Sequence, residues 1–274
     1  TTKYENLFLP SRVTRYALRF SIQYFSNLRI TVIKKGAIMK EKHNYYLGGY
    51  YLVKGSEIQE SMNKEILPSM IFSISSCICK IYPAICALSQ VKSSEEDIDH
   101  VKEELNLDNS GFFELQRYVD LLFNSKRFGW PDVFFDINTA KEFYNKYLKH
   151  ISHIKLLAIG LSKEYADKFL EKEKPLHGYG KPGVYEILSS RKYMETSKEL
   201  GFEILGYDSG SFHSFICNRL ETDYRDRLNI RFNSNGLIEL YEEALRASEY
   251  TMRNDVEAEP VLWMPWVIYE YILR

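Results

Sequence analysis

A chain of 274 residues that is 45% hydrophobic and 15% aromatic has ample material for a folded core, which excludes an intrinsically disordered chain. It contains no low-complexity tract and no internal repeat at solenoid periods, which excludes array folds. The net charge of −1 conceals a division: residues 1–38 hold seven Lys/Arg and one acid, a net of +6, which leaves −7 for residues 39–274.

The basic opening segment, residues 1–38, has neither an apolar signal core with a small-residue cleavage site nor an initiating Met. Near its end, Lys34-Lys35-Gly36 stands two codons before Met39 and is encoded by a purine-rich run like a bacterial ribosome-binding site. The expectation is that Met39 is the natural start and residues 1–38 are translated upstream sequence. The alternative is an Arg-rich targeting peptide or a surface-bound amphipathic segment.

"HNYYLGGYYLVK" (43–54) predicts a strand with a bulge at its paired glycines, opening a single domain over residues 39–274. The longest apolar run, "ILPSMIFSISSCICKIYPAICAL" (66–88), is interrupted by Lys80 and Pro83 and falls short of the ~18 apolar residues a membrane span needs. It reads as a core helix or helix pair. Three of the four cysteines (Cys77, Cys79, Cys86) lie in it. With Cys217 they fit buried thiols of a reducing compartment, so the expected location is the cytoplasm.

Ser93 and Ser94 before a run of acids predict a helix over 93–105, and the spacing of Phe112, Leu115, Val119 and Leu122 predicts another over 110–124. A short strand (130–137), a helix capped by Asn138 (138–150), a strand (151–161) and a helix capped by Ser162 follow. "KPLHGYGKPG" (174–183) is a possible lobe boundary; it lacks the pattern of a phosphate-binding loop. Beyond it the pattern predicts a helix (184–200), a strand (201–208) and helices over 211–228 and 236–251. A closing strand (260–273) follows, with Pro265 at an edge or bulge. Strands and helices in this order, without regular βαβ units, predict an α+β fold: a mixed sheet flanked by helices.

"GYDSGSFHSFICN" (206–218) gathers the side chains that most resemble chemistry. On a helix, His213 and Cys217 would share a face within reach of Asp208, a set suited to zinc or to nucleophilic hydrolysis. A closed metal site needs further ligands that no Cys-x-x-Cys or His-x-x-x-His supplies, and no Gly-x-Ser-x-Gly elbow is present. The better reading is a strand-to-helix junction. Asp208, Ser209 and Ser211 would cap the helix, and Phe212, Phe215, Ile216 and Leu220 would form its buried stripe. No cofactor or metal is expected.

Residues 201–260 hold twelve Asp/Glu against six Lys/Arg, a balance that repels nucleic acid and favours a basic protein partner. "LGYDSGSFHSFICNRLE", "NGLIELYEEALRASEY" and "AEPVLWMPWVIYEYIL" resemble a family of uncharacterised bacterial proteins of the immunity-protein type. "HNYYLGGYYLVK" and "SISSCICKIYPAICAL" are similar to its N-terminal part. The resemblance implies no enzyme activity. The resulting expectation is a non-catalytic protein that neutralises a toxin by occlusion, through Tyr241, Glu242, Glu243, Glu249, Asp255, Glu257 and Glu259. Two alternatives stand beside it: a hydrolase centred on Asp208, His213 and Cys217, and a structural subunit that presents Trp263 and Trp266 on a strand edge. Expression of residues 39–274 alone is expected to yield a soluble protein with a cooperative unfolding transition. An insoluble or unfolded product would place the first 38 residues within the fold.

Overall fold

A computed structural model of the chain describes residues 44–60, 62–84, 94–173, 183–208 and 211–273. The chain divides into two units, Thr1–Lys42 and His43–Arg274, and the described residues all belong to the second. The basic segment 1–38, Cys86, Ser209 and the Gly/Pro-rich stretch through residue 182 lie outside the described residues.

The unit is built on one antiparallel sheet. Its central strands are β1 (Tyr46–Lys54), β7 (Ile154–Leu161), β10 (Trp263–Tyr271) and β8 (Lys198–Asp208), in that spatial order. The short strands β5 (Phe128–Gly129) and β6 (Val133–Phe134) extend the β1 side, β4 (Lys80–Tyr82) also pairs with β1, and β9 (Ser211–Ser214) extends the β8 side. A separate ribbon joins β2 (Ser56–Glu57) to β3 (Met70–Ile71). The α+β architecture without βαβ units is as expected, and every described strand pair is antiparallel.

Seven α-helices accompany the sheet among the described residues: α1 (Glu95–Leu105), α2 (Asn109–Asn124), α3 (Ile137–Phe143, continuing as a π turn over Tyr144–Leu148), α4 (Lys163–Lys172), α5 (Gly183–Ser189), α6 (Glu221–Leu228) and α7 (Tyr241–Thr251). None of them is long and apolar enough to cross a membrane. Ser94 and Asp97 form a reciprocal capping box at the start of α1. Asp108 caps α2, whose Phe112, Leu115, Val119 and Leu122 are all buried as their spacing requires. α3 is capped two residues earlier than expected: Asp136, not Asn138, accepts from the Thr139 amide at 2.8 Å and from its hydroxyl at 2.6 Å.

The central strands are apolar on both faces, as strands covered on both sides must be. The predicted bulge in β1 is present as a register shift between Leu47 and Gly49. Gly49 has φ +131°, and a Cβ there would collide with Val133, so glycine is required on both counts.

Three expectations fail for physical reasons. The apolar run 66–84 forms no helix; it is β3, a turn and β4, and its hydrophobicity reflects burial between layers rather than a helical stripe. The helix expected over 184–200 stops at Ser189. There the Ser189 and Ser190 hydroxyls donate back to the carbonyls of Tyr185 (2.7 Å) and Ile187 (2.6 Å), and Arg191 turns left-handed. Trp263 and Trp266 lie on no exposed edge. Both are fully buried on β10, and Trp266 packs edge-on against Phe169 and Phe212. Pro265 is tolerated because β10 pairs with β8 alone up to Trp266 and gains β7 only from Val267, so that half of the strand has one open side.

Glu104 on α1 fastens the helix to the sheet. It accepts from Lys54 of β1 at 3.0 Å, from the Tyr82 hydroxyl of β4 at 2.5 Å, and from Lys80 of β4. Burial alone would raise its carboxyl pKa, but the hydrogen bonds from Lys80, Tyr82 and Lys54 outweigh this and hold it at about 2. A carboxyl that ionises more readily folded than unfolded adds stability in full above its ordinary 4.5, and that contribution is lost as pH falls towards 2. Glu104→Gln is therefore expected to cost about 2 kcal/mol at neutral pH, with the difference from wild type vanishing in denaturant titrations near pH 2. An equal cost at both pH values would contradict the ion-pair account.

Candidate functional site

Period-two alternation along β8 and β9 divides the opening motif between two faces. Gly206 stands opposite His213 in the β8–β9 ladder, whereas Leu205 stands opposite Ser214 and Tyr207 opposite Phe212. His213 thus lies on one face, half-buried, with Nδ1 3.5 Å from Glu259 Oε1. Ser214 and Phe212 lie on the other, fully buried.

Cys217 follows in the turn after β9. Its sulfur accepts from the Ser214 amide at 3.4 Å and shares a hydrogen bond with Ser75 Oγ at 3.3 Å. Asp208 ends β8 at the surface. The three candidate catalytic residues are not brought to one point.

The expected strand-to-helix junction is also corrected. Residues 211–214 pair as a strand, and the helix begins only at Glu221. Ser211 belongs to that strand and caps no helix. The side chains assigned to the buried stripe, Phe212, Phe215, Ile216 and Leu220, are all buried, but as strand and turn residues. Phe215 stacks on Tyr224 and Phe232, at centroid distances of 5.1 and 5.4 Å.

On the Ser214 face the structure gathers a polar cluster that sequence reasoning missed. Glu203, in the middle of β8, has no solvent exposure. Its Oε1 accepts from Ser73 Oγ, its Oε2 accepts from the Ile74 amide at 3.2 Å, and Ser214 adds a further bond. Ser73 Oγ accepts from the Ser75 amide at 3.0 Å. The Ser73 amide donates to Cys79 Sγ at 3.3 Å, and the Cys79 thiol donates to the Ile71 carbonyl at 3.3 Å. Earlier in the same connection, Glu221 of α6, itself buried, accepts the Asn63 amide at 3.2 Å. Two carboxylates distant in sequence thus hold the β2–β4 segment on the domain.

The electrostatics follow from dryness. Burial raises the Glu203 carboxyl to about 7, against the hydrogen bonds of Ser73, Ser214 and Ile74, which favour its anion. Burial likewise pushes the Cys79 and Cys217 thiols up to about 11. Both thiols are therefore protonated at neutral pH and are poor nucleophiles. The available signal was a glutamate embedded in the apolar "GFEIL", matched by the serines and cysteines of "FSISSCIC".

The proposed partner-binding residues lie on α7 and the connection that follows it. Glu242, Glu249, Asp255 and Glu257 are exposed. Tyr241 is not presented outward. It packs against Phe202 and Tyr45, and its hydroxyl donates to Ser162 at 3.1 Å. Glu243 is paired with Arg246 at 3.8 Å, Asp255 with Arg253 at 2.7 Å, and Glu259 with His213.

Among the described residues no group of three or more His, Cys, Asp or Glu could hold a metal ion. The fold and its polar interior define an α+β protein with an antiparallel sheet. No family model matches the sequence, and no curated protein or solved structure matches it.

Glu203 binds its proton more tightly in the folded protein than the ordinary value of 4.5. Stability due to this group is therefore highest below pH 4.5, falls as pH rises towards 7, and stays low above it. Glu203→Gln, which keeps the shape without the charge, is expected to remove that decline and to gain about 1–3 kcal/mol over wild type at pH 8. Denaturant titrations at pH 4.5, 6 and 8 measure it; parallel profiles for the two proteins would refute the buried-carboxyl account.

Proposed function

We propose that the chain is a non-catalytic binding protein that occludes a basic protein partner, in the manner expected of a bacterial immunity protein and its toxin. The observation that carries this reading is the acidic surface of α7 and the connection to β10. There Glu242, Glu249, Asp255 and Glu257 are exposed. Among the described residues, only Asp255 of these four is paired with a basic side chain, Arg253.

The frame beneath these carboxylates is cross-linked by hydrogen bonds. Ser248 Oγ donates to the Trp263 carbonyl at 2.8 Å, and the Tyr250 hydroxyl donates to Asp223 at 2.6 Å. The Tyr224 hydroxyl is bonded to Thr251, and Trp263 Nε1 donates to the Glu259 carbonyl at 3.0 Å. A fixed backbone lowers the ordering cost of association, and like charges on it raise the encounter rate with a basic surface. Tyr241 supplies no aromatic anchor to a partner, because that ring is packed inward.

The test is a quantitative pull-down from the native host with wild type and a Glu242→Gln, Glu249→Gln, Glu257→Gln triple variant. The expected result is a basic, toxin-like protein whose recovery drops at least tenfold in the variant and falls steeply with salt. Recovery of no basic protein, or equal recovery by both forms, would overturn the proposal.

A further inference from the structure

α2 is anchored to the domain by one face. Phe112, Leu115, Val119 and Leu122 are buried, Asp108 caps the first turn through the Gly111 amide at 2.7 Å, and Glu114 is tied to Lys146 at 2.8 Å. The opposite face is thereby presented in a set orientation. Of the seven large hydrophobic side chains exposed among the described residues, three lie on this helix: Phe113, Leu121 and Phe123. Phe113 is 55% exposed and Leu121 61%. Apolar residues scattered singly over a surface are ordinary, but a concentration of them on one element marks a contact surface.

Residues four apart share a ridge of a helix, so Phe113, Arg117 and Leu121 form one row, with Asp120 beside Arg117. All four are exposed. Among the described residues neither Arg117 nor Asp120 enters an ion pair, and Glu114 on the flank of the row is already taken by Lys146.

This row is complementary to itself. A two-fold axis perpendicular to the helix at Arg117 sets Phe113 of each copy beside Leu121 of the other, because the two residues are equally far from the axis on opposite sides. Asp120 is three residues from Arg117, about 4.5 Å along the helix. The two guanidinium groups meet at the axis and turn in opposite directions, each to Asp120 of the other copy. Two apolar contacts then flank two ion pairs, and the charges on the row cancel.

We infer that the outward face of α2 is a self-association surface, on which a second copy of this chain packs antiparallel about a two-fold axis at Arg117. None of these residues belongs to the acidic surface on α7, so failure of the inference would leave the occlusion reading untouched.

Sedimentation velocity of the full chain between about 1 and 200 µM provides the test. The sedimentation coefficient is expected to rise with concentration to that of a dimer and no further, since an isologous contact closes on itself. Phe113→Ser combined with Leu121→Ser is expected to weaken association about tenfold or more. Arg117→Asp alone sets like charges together and is expected to weaken it by a similar factor. Adding Asp120→Arg exchanges the signs of the pair and is expected to restore association to within about threefold of wild type. Recovery by the exchange cannot come from a damaged fold, and the melting temperatures of all variants are expected to stay near that of the wild-type chain. A chain that stays monomeric throughout, whatever else covers α2, would overturn the inference. Growth beyond a dimer, unchanged association in Arg117→Asp, or no recovery in the exchanged variant would each do the same.

Discussion

A carboxyl group removed from water must find donors or take up a proton, and Glu203 does both. It stands at the centre of β8, directly opposite Trp266 on β10, with no exposure to solvent. Its two oxygens draw Ser73 and the Ile74 amide onto the sheet, and Ser214 reaches it from β9. Ser73 and Ser214, which bond this group, also join Ser75, Cys79 and Cys217 into one buried hydrogen-bonded cluster. A leucine there would remove the desolvation cost. It would also leave the serines without an acceptor, so the cluster is consistent only as a whole.

That constraint changes how the motif at residues 206–218 is understood. Ser214 and Cys217 form hydrogen bonds in the interior, while His213, one residue from Ser214, faces the opposite side and Glu259. Proximity in sequence placed these side chains on opposite faces of a sheet. His213 faces Glu259, while Cys217, in the turn after β9, bonds to Ser75 and to the Ser214 amide, so the two side chains have different partners.

Much of the fold was legible wherever periodicity was long and caps were local. The Ser94 box, the buried faces of α2 and the glycine bulge of β1 can all be read from neighbouring residues. The reading failed where long-range pairing outweighed local pattern. Residues 211–214 follow helix-like spacing into Phe215 and Ile216, yet the hydrogen bonds available along β8 claim them as a strand. The run 66–84 is apolar because it is enclosed, and enclosure carries no period. The polar cluster was illegible for the same reason. Ser73 and Glu203 are 130 residues apart, and nothing in either segment names the other. A lone glutamate among Phe202, Ile204 and Leu205 was the one visible trace.

The most direct test of this account is a carbon-detected NMR titration of the Glu203 side-chain carboxyl in the intact chain. A midpoint near 7 is predicted, because burial outweighs the three hydrogen bonds that favour the anion. A midpoint at the ordinary value of 4.5 would show that the carboxyl is hydrated, and that the β3–β4 connection is not held as described.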